Sequence, residues 1–333
     1  MIDKPDALWD PALEADAELQ RLAALLAAFR HVPDPRFPAR VWQRPPRGRR
    51  PRWLLASAAA VAACAVGLAL WLPWRLQWNE GAHWAVVAGA GAAPGALEVG
   101  TTWATSERQT ATIRIARIGS MQVLPDTRIR LRDTRSGHHR LELVEGRVRA
   151  RIWAPPGYFG VAAGAGETLD LGCEFEMSRD VRGAGSIQVA SGWVMHRVGG
   201  QETLVPAGST LAFDDVRSGI PLAIHAGADF REAVRRLDLA MLEGRRAPGL
   251  ESAVAAGAAA EDRFSLLALL TRYPELASGP LYPRLAALLG EPGDDPQHRQ
   301  AWQAGNAQAM EAWWARIPRP PKAWWLNWRD AFG

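Results

Sequence analysis

The sequence predicts a single-pass transmembrane protein whose larger part is an all-β domain, with coiled or sandwich-like sheets, followed by an α-helical C-terminal domain. Three observations lead to this fold class. An uncharged apolar run covers residues 53–74, short alternating segments fill the middle of the chain, and apolar residues return every three or four positions after residue 229. Alternation with period two is typical of half-buried strands, and a period near 3.6 of amphipathic helices.

The apolar run is long enough to cross a bilayer as one helix. At about 1.5 Å per residue, residues 53–74 would extend roughly 33 Å, against about 30 Å for a hydrocarbon core. The tryptophans that would lie at the two membrane interfaces are Trp53, Trp71, Trp74 and Trp78. Residues 36–52 hold seven arginines and no acidic residue. The positive-inside rule then predicts that the N-terminus is cytoplasmic and that everything after the run lies outside the cytoplasm.

Three other interpretations of the same run stay open. A cleaved signal peptide needs a short leading segment, whereas 52 residues precede this run. The letters VAAC at residues 61–64 resemble a lipoprotein signal. Against this, the apolar run continues for ten residues past Cys64, where a lipoprotein normally turns polar. An alanine-rich run can also be a core helix of a globular domain. The membrane span fits the flanking charges best.

The segment before the run contains one amphipathic helix, predicted over residues 10–30, and a Pro-rich basic linker. Asp10 is the expected N-cap and Pro11 follows it. The apolar stripe that we predict to bind a partner consists of Leu19, Leu22, Leu25, Leu26 and Phe29. A single amphipathic helix cannot bury its own stripe, so it must self-associate, lie on the membrane or dock into a partner's groove. Few basic residues flank the stripe, which makes membrane binding the weaker choice.

Short alternating segments predict the β-domain. They cover residues 111–118, 127–132, 140–153, 186–198 and 202–213. Gly, Pro and Asp separate them, and no helical pattern lies between them, which favours antiparallel sheets with one buried face.

A set of turn and strand residues recurs along these segments in a fixed order. It consists of Gly119, Ser120, Pro125, Thr127, Leu143, Gly146, Val148, Phe159, Val161, Gly172, Phe175, Val189, Gly192, Val194, Pro206, Ala207 and Gly208. Together these positions resemble the FecR domain, over roughly residues 84–213. That family supplies the outer-compartment part of membrane-anchored anti-sigma regulators in bacterial cell-surface signalling. The sequence departs from the family pattern at Ala163, near Asp170 and at Cys173.

The C-terminal part has helical periodicity. Phe230, Val234, Leu237 and Met241 form one stripe behind Asp229, the expected helix cap. The residues expected to separate the helices are Pro274, Pro280, Gly290 and Pro296. This part resembles the helical tail of a subset of membrane-anchored FecR-domain proteins.

Motif searches favour a binding protein over an enzyme. The phosphate-binding G-x-x-x-x-G-K-[ST], the G-x-S-x-G elbow and H-E-x-x-H do not occur. His138 and His139 are expected in a solvated hairpin loop, not in a metal site. Two aspartate pairs lie in turn-like or helix-start contexts, namely Asp214 with Asp215 and Asp294 with Asp295. We therefore expect no enzymatic activity, no cofactor, no metal and no nucleic-acid partner, the last because the net charge is only +4.

The leading hypothesis is a membrane-anchored FecR-like regulator that transmits an envelope signal to a cytoplasmic sigma factor by protein–protein binding. The resemblance implies a bacterial inner-membrane protein, single-pass, with a cytoplasmic N-terminus and a periplasmic C-terminal bulk. Its expected partners are the bilayer, a sigma factor and an envelope or outer-membrane receptor. The alternative is a periplasmic scaffold or binding protein with no sigma-factor role. The predicted domains are a cytoplasmic segment (1–52), a transmembrane helix (53–74), a spacer (75–100), a β-domain (101–222) and a helical domain (223–333).

Overall fold

The computed structural model describes residues 21, 62–71, 83–87, 89, 91, 94–293 and 295–317. Within these residues, no helix is long and apolar enough to cross a lipid bilayer. The predicted single-pass transmembrane fold class is therefore wrong. The described chain is instead a large sheet system of 15 strands with helices.

The strands begin at Trp84 and alternate with tight turns. They are β1 (Trp84–Val87), β2 (Gly95–Leu97), β3 (Thr102–Ala104), β4 (Ala111–Ile115), β5 (Gly119–Val123), β6 (Arg128–Arg135), β7 (His138–Ile152), β8 (Phe159–Ala163), β9 (Gly166–Asp170), β10 (Glu174–Arg179), β11 (Gly185–Ser191), β12 (Trp193–Val198), β13 (Gln201–Pro206), β14 (Ser209–Phe213) and β15 (Leu222–Ala223). The first two strands lie in the segment predicted as a spacer.

The long strand β7 belongs to two sheets. Its C-terminal half pairs with β5 and β10 in sheet I, which also holds β1, β2, β4, β11, β14 and β15. Its N-terminal half pairs with β6 and, in parallel, with β8 in sheet II, which also holds β3, β9, β12 and β13. The inner faces of both sheets contribute to one apolar core. A strand that changes sheet is a common way to make the corner of a sandwich.

Gly146 lies where β7 passes from one sheet to the other. Its φ is +97°, a left-handed conformation that favours glycine. A Cβ at this position would lie 2.4 Å from the Cα of Thr127, so a side chain has no room. The Thr127 hydroxyl accepts a hydrogen bond from the Arg147 N–H at 2.9 Å. The close approach of these two segments thus sets the corner.

Alternation along the strands fills the sandwich core, as the sequence predicts. In β6 the residues alternate between exposed and buried, with Ile129 and Leu131 inside. Trp84, Phe159 and Phe175 are among the largest fully buried side chains. The β-rich character of the chain is confirmed.

Six helices follow the sandwich in the described part of the chain. They are α1 (Ala228–Leu242), α2 (Pro248–Gly257), α3 (Arg263–Arg272), α4 (Leu281–Leu289), α5 (Pro296–Gln303) and α6 (Ala307–Trp314), with 3₁₀ turns at Ala260–Asp262 and Pro274–Ser278. The predicted stripe Phe230, Val234, Leu237 and Met241 is buried. Gly290 ends α4 in a left-handed conformation, and the Asp295 carboxylate caps α5. Asp229 lies in the first turn of α1 and is not its cap, because the helix begins one residue earlier, after Gly227.

Most of the predicted partner and membrane residues fall outside the described residues. This holds for Leu19, Leu22, Leu25, Leu26, Phe29, Trp53, Trp74 and Trp78. Trp71 is described, at the end of helical residues 62–71, and is half-buried.

Candidate functional site: a charged junction with two grooves

A buried carboxylate lies where the first helix meets the sandwich. Asp238 follows Leu237 on the buried stripe of α1, and only 3% of it is exposed. A charged group in such a position is costly unless hydrogen-bond donors surround it. Its surroundings therefore determine what this junction can do.

Three side chains donate to the Asp238 carboxylate. Arg217 Nη1 lies 3.1 Å from Oδ2, Arg272 Nη1 lies 3.3 Å from Oδ1, and the Tyr273 hydroxyl lies 2.8 Å from Oδ1. Burial, together with the neighbouring Asp238 carboxylate, raises the pKa of Tyr273, so the phenol keeps its proton and remains a donor. These hydrogen bonds join α1 to α3 and to the turn that holds Arg217.

Arg272 carries the junction from the helices to the sandwich. Its guanidinium donates to the backbone oxygens of Ser218 at 3.0 Å and Gly219 at 2.8 Å, and to the Thr203 hydroxyl at 3.2 Å. A planar guanidinium presents five donors in fixed directions, which suits a group that joins several acceptors. Arg272 ends α3, so one side chain joins that helix to β13 and to the turn before β15.

The turn that supplies Arg217 is rigidly held. The Asp214 carboxylate accepts from the backbone N–H groups of Val216 and Arg217 at 2.8 and 2.9 Å. Asp215 pairs with Arg179 through two contacts of 3.1 and 3.0 Å. The turn context predicted for these two aspartates is confirmed. Their role is to fix the position of Arg217.

Two grooves border this cluster. The larger, of about 530 Å³, is lined by outward residues of β14 such as Thr210 and Ala212, and by Arg231 and Arg235 of α1. Asp238 and Arg217 also line it. The smaller, of about 300 Å³, lies between β13 and α3 and includes Arg272, Leu204 and Trp314. Grooves of this size with apolar walls and a few polar groups are typical of ligand or peptide sites.

Asp170 and Cys173, two positions at which the sequence departs from the FecR pattern, contact each other. Asp170 Oδ1 accepts from the Cys173 backbone N–H at 2.8 Å and from its thiol at 2.6 Å. Both residues are buried. The carboxylate therefore holds the turn between β9 and β10, and the cysteine is its local partner.

Two histidines are buried in the sandwich, each beside a threonine on a neighbouring strand. His139 Nδ1 lies 2.9 Å from the Thr134 hydroxyl, and His196 Nδ1 lies 2.9 Å from the Thr168 hydroxyl. Burial lowers the pKa of both rings to about 4. The expected solvated loop is thus wrong for His139, which lies inside the core at the start of β7. In the described ranges, no three His, Cys, Asp or Glu side chains come together as metal ligands.

Sequence reasoning missed Arg217, Asp238 and Arg272. An aspartate within an apolar helical stripe was the available signal, because such a residue needs buried partners. Its partners lie 21 and 34 residues away in the chain, so local patterns do not reveal them.

Comparisons with known proteins found only distant structural similarity. No protein-family model matches the chain, and no curated protein does. Two crystal structures, at 1.65 and 2.50 Å resolution, show similarity; each is of a protein from Parabacteroides distasonis that is provisionally described as an anti-sigma factor. Each shares 14% identity and a TM-score of 0.33 over 40% of this chain. The chain spans 63% of the solved chains' length, and a likeness this weak carries no argument.

Proposed function

We propose that this protein is a regulator of the anti-sigma type that acts by binding other proteins and not by catalysis. The proposal rests on one observation. Positions that carry the FecR resemblance, although scattered along the sequence, contact each other at two corners of the sandwich.

The first corner joins Thr127 to Gly146, where β7 changes sheet. The second joins three separate turns. A Cβ at Gly192 would lie 2.0 Å from the Gly172 carbonyl oxygen, and the Gly192 carbonyl accepts the Ala207 N–H at 2.9 Å. Gly208 donates to the Val189 carbonyl at 2.9 Å.

These contacts bring residues that match the FecR pattern together in the folded chain. Turn glycines that matched a family pattern by composition alone would have no reason to meet in space. Here Gly146 and Gly192 each leave room for the backbone of another matching segment, so these positions depend on one another. This mutual dependence supports a FecR-like domain and, with it, a role in signalling through protein contacts.

The sigma-factor partner is the finer part of the proposal. We assign its binding to the apolar stripe Leu19, Leu22, Leu25, Leu26 and Phe29, which lies outside the described residues. The grooves beside Asp238 are the places where the sandwich and helices would contact a further protein. The compartment of each part of the chain stays a prediction.

Affinity capture with the full-length chain tests this proposal. The wild-type chain should retain a sigma factor, and the double change Leu22→Asp with Leu26→Asp should reduce the retained amount at least tenfold, because it places two charges on the apolar stripe. Arg21→Asp is the matched control, since Arg21 is helical and exposed. It should retain the wild-type amount.

Capture of no sigma factor by the wild-type chain, under conditions in which other envelope proteins are retained, would favour the alternative of a scaffold or binding protein. Equal losses in the stripe variant and in the Arg21→Asp control would remove the assignment of the stripe.

A further inference from the structure

A chain of hydrogen bonds crosses the sandwich from one sheet to the other. Trp84, on β1 of sheet I, donates its indole N–H to the Thr134 hydroxyl on β6 of sheet II at 2.9 Å. The same hydroxyl lies 2.9 Å from Nδ1 of His139 on β7. All three side chains are buried. The first strand of the sandwich is thus tied to the opposite sheet through a histidine.

The direction of these bonds depends on the protonation state of the ring. Because Thr134 accepts from Trp84, its own hydrogen points to Nδ1 of His139, which accepts as a neutral ring nitrogen does. Nε2 then carries the ring proton and is buried without a hydrogen-bond partner among the described residues. Adding a proton to Nδ1 would force the Thr134 hydroxyl to turn its own hydrogen away from the ring and would place an unsolvated charge in the core.

The charged groups near His139 do not compensate for this cost. Asp133, on β6, favours the protonated ring, whereas His138 and Arg140, on β7, oppose it. Arg140 is itself paired with Glu167 of β9 at 2.7 Å. On β8, Phe159 is the register partner of His139, and the ring centroids of Phe159 and Trp84 of β1 lie 6.3 Å apart.

Strand β1 is the element that carries the indole donor of this hydrogen-bond chain. It is the first strand of the sandwich, and it pairs over three residues with β2 and over three with β4. Its anchors in the core are Trp84 and Val86. Withdrawal of Trp84 would open the ring of His139 to water while the pairing of β6, β7 and β8 stays intact.

We propose that β1 is an acid-releasable strap, which the neutral His139 holds through Thr134 and Trp84 and which protonation of His139 sets free. Release turns residues 84–97 from two strands into linker. This inference does not depend on the proposed sigma-factor binding.

Hydrogen exchange of the full-length chain, followed by mass spectrometry, tests the proposal. Protection factors for peptides that cover β1 should fall about 30-fold between pH 7.5 and pH 5.0, because the released ring regains a pKa near 6.5 and the held ring has a pKa of about 4. Peptides that cover β9 and β12 should keep higher protection at pH 5.0 than those that cover β1.

The variant His139→Gln should remove most of this pH dependence in β1, since glutamine can accept from Thr134 but does not titrate. His196→Gln is the matched control: it removes the other buried histidine, which lies on β12, and should leave the fall in β1 unchanged. A fall in β1 that persists at full size in His139→Gln would overturn the proposal.

Thr134→Val keeps the proposal testable if His139→Gln does not fold. It removes the bridging hydroxyl, so protection of β1 should be at least tenfold lower already at pH 7.5, with β9 and β12 still protected. Wild-type protection of β1 in this variant would contradict the role of the hydrogen-bond chain.

Discussion

The sandwich and the helical part bury polar side chains in different ways. The sandwich buries neutral pairs, Thr134 with His139 and Thr168 with His196, and also a carboxylate, Asp170, that accepts from the Cys173 N–H. The helical part buries carboxylates with arginines: Asp238 with Arg217 and Arg272, and Glu251 with Arg246 at 2.9 Å. Register explains the first arrangement, because each threonine lies directly across from its histidine on the neighbouring strand. Long arginine side chains explain the second, since they reach across turns and helices.

This difference predicts different weaknesses. A neutral histidine pair fails when protons are added, so the sandwich should be sensitive to acid. A buried carboxylate with two guanidinium partners fails when one member is removed, because the remaining charges are left without compensation. The experiments below separate the two cases, from the largest expected effect to the smallest.

Removing the carboxylate at the junction should have the largest effect. Asp238→Ala leaves Arg217 and Arg272 without their anion and should lower the free energy of unfolding by about 3–5 kcal/mol. Chemical denaturation followed by circular dichroism measures this change. Glu232→Ala, which breaks an exposed pair with Arg235 on the same helix, is the control and should leave the midpoint unchanged. Similar midpoints for both variants would show that the junction contributes nothing specific.

A substitution at the corner of the sandwich should have the second-largest effect on the free energy of unfolding. Gly146→Ala forces a Cβ against Thr127 at a positive φ and should cost about 3 kcal/mol in the free energy of unfolding. Gly157→Ala is a matched control, because Gly157 also has a positive φ, of +82°, but has open space around its Cα. The control should cost about 1 kcal/mol. Equal losses would mean that φ alone, and not the crossing of β7, sets the requirement for glycine.

Acid should weaken the sandwich by a smaller amount for each histidine. The pKa of His196 is about 4 in the folded chain, below the usual 6.5, so its neutral form is favoured by folding. The resulting stability is fully present above pH 6.5 and is lost as the pH falls towards 4. Between pH 7 and pH 5 the loss should be about 2 kcal/mol. His196→Gln should flatten the pH dependence by that amount, and an unchanged slope would contradict the assignment.

The regular elements could be predicted because their signals are local. Alternation marks β6 and both halves of β7, and the spacing of Phe230, Val234 and Leu237 marks α1. The β1 and β2 strands were missed because Gly and Ala dominate residues 87–100, a composition that does not favour strands. Their place in the sheet comes from the burial of Trp84.

The junction and the transfer of β7 between sheets could not be predicted for a different reason. Both depend on contacts between segments far apart in the chain, such as Arg272 with Thr203. The predicted span rested on length and hydropathy alone, and among the described residues no helix is long and apolar enough to cross a bilayer. The prediction for His139 was wrong for a similar reason. Its sequence neighbours suggested a solvated loop, whereas its side chain is buried in the sandwich core.

Transcription in a reconstituted system tests the central claim of anti-sigma regulation most directly. Stoichiometric addition of the full-length chain to RNA polymerase that carries the captured sigma factor should suppress transcription from that factor's promoter, and Leu22→Asp with Leu26→Asp should restore it. Arg21→Asp should suppress transcription as the wild type does. Unchanged transcription at a tenfold excess of wild-type chain over the sigma factor would contradict the account.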